Sequence, residues 1–183
     1  MIYAPIHVEP VSPMISPFTP GWGAAAHERV VNSDPGSATW ESAALAVYMP
    51  IFGQAPLILT RVWWANGATV SGGATIEVGV YRDAAYKPGA KIISGSATQG
   101  TASQVQFVDV TDTFLIPGLY WIAVVSSSAT NTTMFRGVAS ALSYDAAFRM
   151  EEASASPLPA TATPVELSAT NIYLCGFSTT TIT

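Results

Sequence analysis

Charged side chains are scarce in this sequence. Only 10% of the 183 residues are Asp, Glu, Lys or Arg, whereas a typical soluble domain carries about 25%. The 7 basic residues are scattered and the net charge is −5, which argues against nucleic acid as a partner because a phosphate backbone is held by clustered Lys and Arg. Such scarcity is typical of a chain whose surface is occupied by neighbouring subunits, since interface cores are depleted of charge. The alternative is a β-sandwich with a Ser/Thr/Ala/Gly surface.

Cysteine and histidine are almost absent. Cys175 is the only cysteine, which excludes an intramolecular disulfide, and no Cys/His group has the spacing of a zinc site. The histidines, His7 and His27, lie outside the predicted strands, and no serine stands in a Gly-x-Ser-x-Gly elbow. The sequence therefore predicts no catalytic residue, no metal and no cofactor.

Two other patterns that can mark chemistry are incomplete. Asp109 and Asp112 in VDVTDT lack the remaining oxygen ligands of a calcium loop, and a turn-capping role explains Asp112 better. The Gly-rich pieces ANGATVSGGAT and KPGAKIISGSATQG lack the Gly-Lys-Ser/Thr of a phosphate loop. They are interpreted as turns, and the protein as non-enzymatic.

Long uninterrupted apolar runs are missing too, although 49% of the residues are hydrophobic. No stretch approaches the roughly 18 residues of a membrane helix, so we expect no membrane partner. The N-terminus, MIYAPIHVEP, has no basic region followed by an apolar core, and no secretory signal is predicted. We expect synthesis in the cytoplasm, with any later export by release within a particle.

Short β-strand patterns are what the chain contains in abundance. From about Ser37 to Arg149, apolar β-branched runs recur at short intervals between turn signals, without sustained helical periodicity. This pattern predicts an all-β fold, an antiparallel β-sandwich of the jelly-roll type. The sandwich is predicted to cover residues 37–183, with a Pro/Ala/Ser/Thr loop near 150–164 and a final strand near 171–177.

The stretch from Leu57 to Tyr81 gives the clearest strands. Its second half has the period of two of a half-buried strand, with two sets of side chains on opposite faces, Ile76, Val78 and Val80 against Thr75, Glu77 and Tyr81. Its first half is apolar on both faces, Ile58, Val62 and Trp64 against Leu57, Leu59 and Trp63. We expect that strand to be covered on both faces, by its own fold or by a neighbouring subunit.

Two later runs complete the predicted body. In Gln104–Val110, Val105 and Phe107 alternate with glutamines, which indicates another half-buried strand, and a turn is predicted at Thr111–Thr113. Leu119–Val125 is the most apolar run in the chain and is predicted to be a central strand.

Residues 1–36 differ in composition from the rest. Proline at short intervals excludes a helix and removes donors from any strand ladder, so we predict an extended N-terminal arm. Because a disordered linker is normally polar and this segment is apolar, we expect the arm to lie on its own domain or, as we favour, on an adjacent subunit. The residues expected at that interface are Pro5, Ile6, Val8, Met14, Ile15, Phe18 and Trp22.

Neighbouring aromatic residues provide the remaining binding candidates. Trp63 and Trp64, like Tyr120 and Trp121, are adjacent in a predicted strand and must face opposite sides of it. One member of each pair can fill the core, while the other anchors a protein interface or stacks on a sugar ring. Alternatively, all four are covered within the monomer.

The strand motifs LILTRVWWANGATVSGGATIEVGVYRDA and VQFVDVTDTFLIPGLYWIAVVSS carry a resemblance. The pattern resembles that of uncharacterised structural proteins of tailed bacteriophages and prophages, and the resemblance covers roughly residues 43–136. The resemblance implies a virion location and offers no catalytic residues.

Composition, arm and resemblance together give an expected function. We expect a capsid decoration or cement protein that acts as a homotrimer, binds the major capsid protein or other virion proteins, and bridges neighbouring subunits with its arm. The alternative is a tail-fibre or receptor-binding module that recognises carbohydrate through exposed aromatics.

Overall fold

The computed structural model describes residues 36–53, 56–70, 72–130, 132–138, 149–166 and 171–180. These ranges contain no helix, and their strands pair antiparallel throughout, so the predicted all-β class is confirmed. The strands are β1 (Gly36–Thr39), β2 (Ala46–Gly53), β3 (Leu57–Ala65), β4 (Thr75–Asp83), β5 (Pro88–Thr98), β6 (Val105–Leu115), β7 (Gly118–Ser126), β8 (Thr133–Val138), β9 (Met150–Glu152), β10 (Val165–Glu166), β11 (Asn171–Tyr173) and β12 (Cys175–Thr180). The arm predicted at residues 1–36 lies outside the described residues except for Gly36.

The strands form three sheets. The largest has the order β10-β9-β2-β7-β4-β5, and two three-stranded sheets have the orders β12-β3-β6 and β1-β8-β11. The apolar run at 119–125 forms most of β7, which lies between β2 and β4 as predicted for a central strand. The run predicted as one final strand is divided at Leu174, so that β11 and β12 belong to different sheets.

The six-stranded sheet and the β12-β3-β6 sheet face each other across one hydrophobic core. The six-stranded sheet contributes Val47, Met49, Ile76, Val78, Val80, Tyr120, Ile122 and Val124, and the β12-β3-β6 sheet contributes Leu57, Leu59, Val62, Trp64, Leu115, Cys175 and Phe177. Each fully buried aliphatic side chain stabilises such a core by about 1.5–3 kcal/mol. The sheets approach closely at Gly95 of β5, where a Cβ would meet Val62, Val108 and Val110 at 2.9–3.0 Å.

The strict alternation predicted for residues 57–65 is wrong in its first half. The pairing of β3 shifts at Thr60, which has no partner in β12 between Leu59 and Arg61. An extra residue reverses the facing of every residue on one side of it. Leu57 and Leu59 therefore face the same core as Val62 and Trp64.

Strand β6 also differs from the prediction. No turn occurs at residues 111–113, and the strand runs on to Leu115. Val108 and Val110 pack against the core and so determine which side chains of β6 face inward. Val105 and Phe107 consequently face outward and are more than half exposed, whereas Gln106, opposite Trp64 of β3, lies on the inner side.

The outer face of the six-stranded sheet is covered by residues 153–164, here called the strap. Ala155, Leu158 and Ala162 of the strap are buried with Tyr48, Tyr81 and Trp121 in a second hydrophobic cluster. Backbone hydrogen bonds fix the strap at both ends, from Ala155 N to Ala44 O (2.8 Å) and from Ala162 N to Gly89 O (2.9 Å). Strand β4 is therefore buried on both faces rather than half-buried.

Candidate functional site

The four aromatic residues singled out in the sequence are all buried. The two members of each pair face opposite sides of their strand. Trp64 and Tyr120 belong to the inter-sheet core, and Trp121 belongs to the cluster beneath the strap. Trp63 belongs to neither cluster. Trp63 and Trp121 are 5% and 1% exposed. Neither indole is available for stacking on a ligand, so recognition of a sugar would require other aromatics. The interface candidates between Pro5 and Trp22 lie outside the described residues.

Trp64 organises a buried polar network at one end of the core. Its Nε1 donates to Oδ1 of Asn66 at 2.9 Å, and Nδ2 of Asn66 donates to Thr101 O at 3.0 Å and to Oε1 of Gln106 at 3.1 Å. Gln106 Nε2 donates in turn to Thr98 O at 2.9 Å. Both amide side chains are satisfied inside the fold, which explains why a glutamine takes the inward position in β6.

A second polar network holds the strap. Glu77 Oε2 accepts a hydrogen bond from Leu158 N at 2.9 Å, and Lys91 Nζ donates to Leu158 O at 2.6 Å. The two side chains also form an ion pair at 3.6 Å. Tyr81 OH donates to Pro159 O at 2.7 Å, and burial raises the pKa of this phenol. These contacts satisfy backbone groups of the strap, so the network has a structural role.

Exposed apolar side chains are concentrated on the outer face of β6. Val105, Phe107, Phe114 and Ile116 are each 56–57% exposed, the first three in β6 and the last directly after it. In the middle of this row, Arg61 of β3 donates to Asp109 at 2.5 Å, and its guanidinium lies 4.8 Å from the centre of the Phe107 ring. We call these six residues the β6 face. Single exposed hydrophobics are ordinary. Here two lie on each side of the Arg61–Asp109 pair, and we interpret this concentration on one strand as an interaction site.

A cavity of about 290 Å³ opens at one end of the β6 face, lined by Asn66, Gly100, Thr101, Gln104, Val105, Gln106 and Phe107. Asn66 and Gln106 are bonded to each other and to the backbone of the neighbouring loop. Phe107 provides an exposed aromatic wall, and Gln104 and Thr101 are exposed at the rim.

A buried charge cluster lies near the start of β9. Nη2 of Arg149 is 3.4 Å from Oε1 of Glu41 and 3.6 Å from Oε1 of Glu151, and the guanidinium lies 5.5 Å from the centre of the Tyr173 ring. The Arg149 side chain is 5% exposed, and burial lowers its pKa. Burial, together with a hydrogen bond to Glu41, raises the pKa of Glu151 to about 7.

The Glu151 carboxyl makes stability depend on pH. Its pKa rises from 4.5 to about 7 on folding, so folding takes up a proton between these values and the free energy of unfolding falls as pH increases through this window. We expect Glu151→Gln to flatten this dependence and, allowing for the solvent access of the group, to raise stability at pH 8 by about 1 kcal/mol. Urea titrations between about pH 5 and pH 8 measure both effects. Asp112→Asn, at an exposed carboxylate, is the control, and an unchanged slope in Glu151→Gln would contradict the assignment.

The described ranges contain no group of three or more His, Cys, Asp and Glu side chains that could hold a metal ion. Asp109, one of the two carboxylates considered for calcium, pairs with Arg61 instead. Within the same ranges no helix is long and apolar enough to cross a membrane.

Comparisons of the chain with models of protein families, with curated proteins and with solved structures find no match. The residues themselves must therefore carry the functional argument. The β6 face is the feature most typical of a binding site, and the sequence prediction missed it. The sequence VQFVDV does contain an indication of it. Val108 and Val110 point to one side of the strand and Val105 and Phe107 to the other, so apolar residues occur on both sides.

Proposed function

We propose that this chain is a non-enzymatic structural protein of a tailed-bacteriophage virion. Its most concrete role is that of a capsid decoration or cement protein, acting as a homotrimer that binds the major capsid protein or other virion proteins and stabilises the particle. The observation that carries this proposal is the β6 face, a row of four exposed apolar side chains on a body with few charges. The strand motifs that resemble those of virion proteins also support it.

In this proposal the fold is a jelly-roll-like β-sandwich with an extended N-terminal arm. The shared core between two antiparallel sheets supports the sandwich. The proline-rich, apolar composition of residues 1–36 supports the arm, because extended chain gains much contact area per residue without a core of its own. The arm would bridge neighbouring subunits on the particle surface.

Deleting residues 1–22 tests this role. Full-length protein added to virions assembled without it should bind and raise the temperature at which the particles lose their nucleic acid. The deletion variant should bind at least about tenfold more weakly, because the arm supplies much of the buried apolar area. Particle sedimentation and thermal release measure the two quantities.

The control for this deletion is a full-length Tyr86→Ser variant, which removes an exposed aromatic in the loop between β4 and β5. It should behave as the unmodified protein does. Equal binding and equal particle stability with and without residues 1–22 would show the bridging role to be wrong.

The second candidate function is a tail-fibre or receptor-binding module for carbohydrate. The open cavity beside Phe107 favours it, because one aromatic wall and polar rim groups are the usual means of holding a sugar ring. A glycan array on which Phe107→Ser loses a signal shown by the unmodified protein would support this function, and an array without any signal would remove it. Cryo-electron microscopy of the particle separates the two functions, with many icosahedrally arranged copies on the head for the first and a few at the tail for the second.

A further inference from the structure

We propose that the β6 face is the docking surface for residues 5–22 of a neighbouring copy of this chain. This inference rests on the proposed function and specifies which surface receives the arm. Each copy would then carry one donor segment and one acceptor surface.

The fold does not require the apolar side chains of the β6 face. Val108 and Val110 are the β6 valines packed against the core, and Gln106 fills the inward position beside Asn66. Val105 and Phe107 point the other way and remain more than half exposed, as do Phe114 and Ile116 at the other end. Polar residues at these four positions would keep the core intact, so their apolar character fits a surface that becomes covered.

The edge of β6 also favours a covering segment. Strand β6 has 11 residues and lies at the edge of its sheet, with β3 as its single hydrogen-bonded neighbour among the described strands. Natural edge strands are commonly protected by charged side chains, by proline, by β-bulges or by a covering segment. In β6 the charges of Asp109 and Asp112 and the irregular pairing with β3 lie between Phe107 and Phe114. The two apolar ends of the strand contain neither proline nor a charged residue, so a covering segment suits them.

The composition of the arm suits this surface. Residues 1–22 contain a single carboxylate, Glu9, and neither Lys nor Arg, with prolines at positions 5, 10, 13, 17 and 20. Proline-rich segments bind surfaces lined with aromatic side chains, because their extended polyproline conformation is formed at low entropic cost. An extended segment of this kind covers about 3.1 Å per residue, so positions 5–22 exceed the length of β6, in which each residue advances about 3.4 Å.

The arm joins the body near the β6 face. Ser37 Oγ accepts a hydrogen bond from Ala68 N (2.8 Å), and Gly67 O accepts one from Ser103 N (2.9 Å), just before β6 begins. The arm therefore leaves the body close to the start of the β6 face. A Cβ at Gly36 would meet nothing within 4 Å, so the chain leaves at an open point.

The donor segment and the acceptor surface are different parts of the chain, so docking of the arm of one copy on the β6 face of the next is a heterologous contact. Contacts of this heterologous kind generate a closed ring when the rotation between copies closes, and this is the arrangement that the proposed homotrimer needs.

Peptide binding tests the docking surface directly. The probe is a fluorescein-labelled peptide of residues 1–22, titrated against protein that lacks those residues and followed by fluorescence anisotropy. We expect saturable binding that Phe107→Ser/Phe114→Ser weakens by at least about tenfold, because both rings would be buried in the complex. The matched control, Phe52→Ser/Tyr86→Ser, removes two exposed aromatic rings elsewhere and should leave the affinity unchanged. Absence of binding, or an equal loss in both double variants, would overturn the proposal.

A cross-link in the full-length chain decides which copy supplies the arm. Ile15→Cys in one tagged chain and Phe107→Cys in a second, differently tagged chain should form a disulfide between the two chains when they are mixed with dissolved oxygen as the oxidant. In a chain that carries both substitutions, mainly intramolecular disulfide would show that the arm covers its own sheet and would overturn docking in trans.

The particle-binding experiment distinguishes the docking of the arm on the β6 face from the proposed role of the protein in the virion. If Phe107→Ser/Phe114→Ser stabilises virions as well as the unmodified protein does, while deletion of residues 1–22 abolishes the effect, the docking surface is wrong and the proposed function stands. If the peptide binds as expected but virions bind neither protein, the docking surface stands and the proposed function is wrong.

Discussion

Trp64→Ala is expected to reduce the free energy of unfolding by about 4–8 kcal/mol, the largest effect of any single substitution considered. The side chain is completely buried in the inter-sheet core, and truncating a buried tryptophan costs about 3–5 kcal/mol through lost burial and the remaining cavity. The change also removes the donor to Asn66 Oδ1, and a buried acceptor left without a partner adds about 1–3 kcal/mol. Since domains are stable by about 5–15 kcal/mol, much of the chain should be unfolded under mild conditions. Urea denaturation followed by far-ultraviolet circular dichroism measures the loss.

Two further variants separate these contributions. Trp64→Phe keeps most of the buried volume while losing the hydrogen bond, so it should cost clearly less than Trp64→Ala, about 2–3 kcal/mol. Phe107→Ala, at an exposed ring in the neighbouring strand, should change stability by less than about 0.5 kcal/mol. Comparable losses at Trp64 and Phe107 would contradict the assignment of one ring to the core and the other to the surface.

Glu77→Ala is expected to loosen the strap on the six-stranded sheet and to cost about 2–4 kcal/mol, because it leaves the buried Leu158 N–H without an acceptor and removes the carboxylate that pairs with the partly buried Lys91. Glu77 Oε2 is the acceptor for Leu158 N, and Glu77 also pairs with Lys91. Released strap residues would expose the ring of Trp121 and the apolar side chain of Leu158, both now buried. Hydrogen exchange of the Leu158 amide should accelerate more than global unfolding predicts, and proteases should cleave within residues 153–164.

The controls for the strap test charge and position separately. Glu77→Gln keeps an oxygen acceptor for Leu158 N but removes the charge opposite Lys91, so about half of the loss should remain. Asp109→Ala breaks the exposed pair with Arg61 and should cost less than about 1 kcal/mol. Unchanged exchange at Leu158 in Glu77→Ala would show that the other contacts of the strap hold it without Glu77.

The alternation of β4 was predictable from the sequence because it depends on local geometry. Side chains alternate along any strand, and Ile76, Val78 and Val80 do face the core while Tyr81 faces the other way. The facing of β3 was not predictable in the same way. A single extra residue at Thr60 reverses the alternation, and that residue is defined by pairing with β12, which lies far away in the sequence.

The strap shows the same limit for a segment without regular structure. Its Pro/Ala/Ser/Thr composition is typical of an exposed loop, yet Leu158 and Ala155 are 2% and 3% exposed. The sequence did contain an indication, since Tyr48, Tyr81 and Trp121 form an apolar second face on the six-stranded sheet that needs a cover. Which segment supplies that cover depends on long-range hydrogen bonds to Glu77 and Lys91, which leave no periodic pattern.

The β6 face could be predicted least of all. From the sequence, Val105 and Phe107 were expected on the buried side of the strand. Val108 and Val110, on the opposite side, occupy the core instead. Asn66 needs a hydrogen-bonding partner, which also favours Gln106 on the inner side. The exposed row is therefore the consequence of a polar residue, Asn66, directly after the neighbouring strand β3, and alternation within β6 alone cannot reveal it.

The single thiol of the chain has a practical consequence for kinetics. Cys175 is completely buried in β12 beside Trp64, and burial raises its pKa, so the reactive thiolate is suppressed in the folded state. A maleimide or disulfide reagent should modify native protein only as fast as this part of the β12-β3-β6 sheet opens. The rate of labelling at Cys175 therefore measures how often the core opens. It requires no introduced probe, and it can be compared between the free protein and the assembled form.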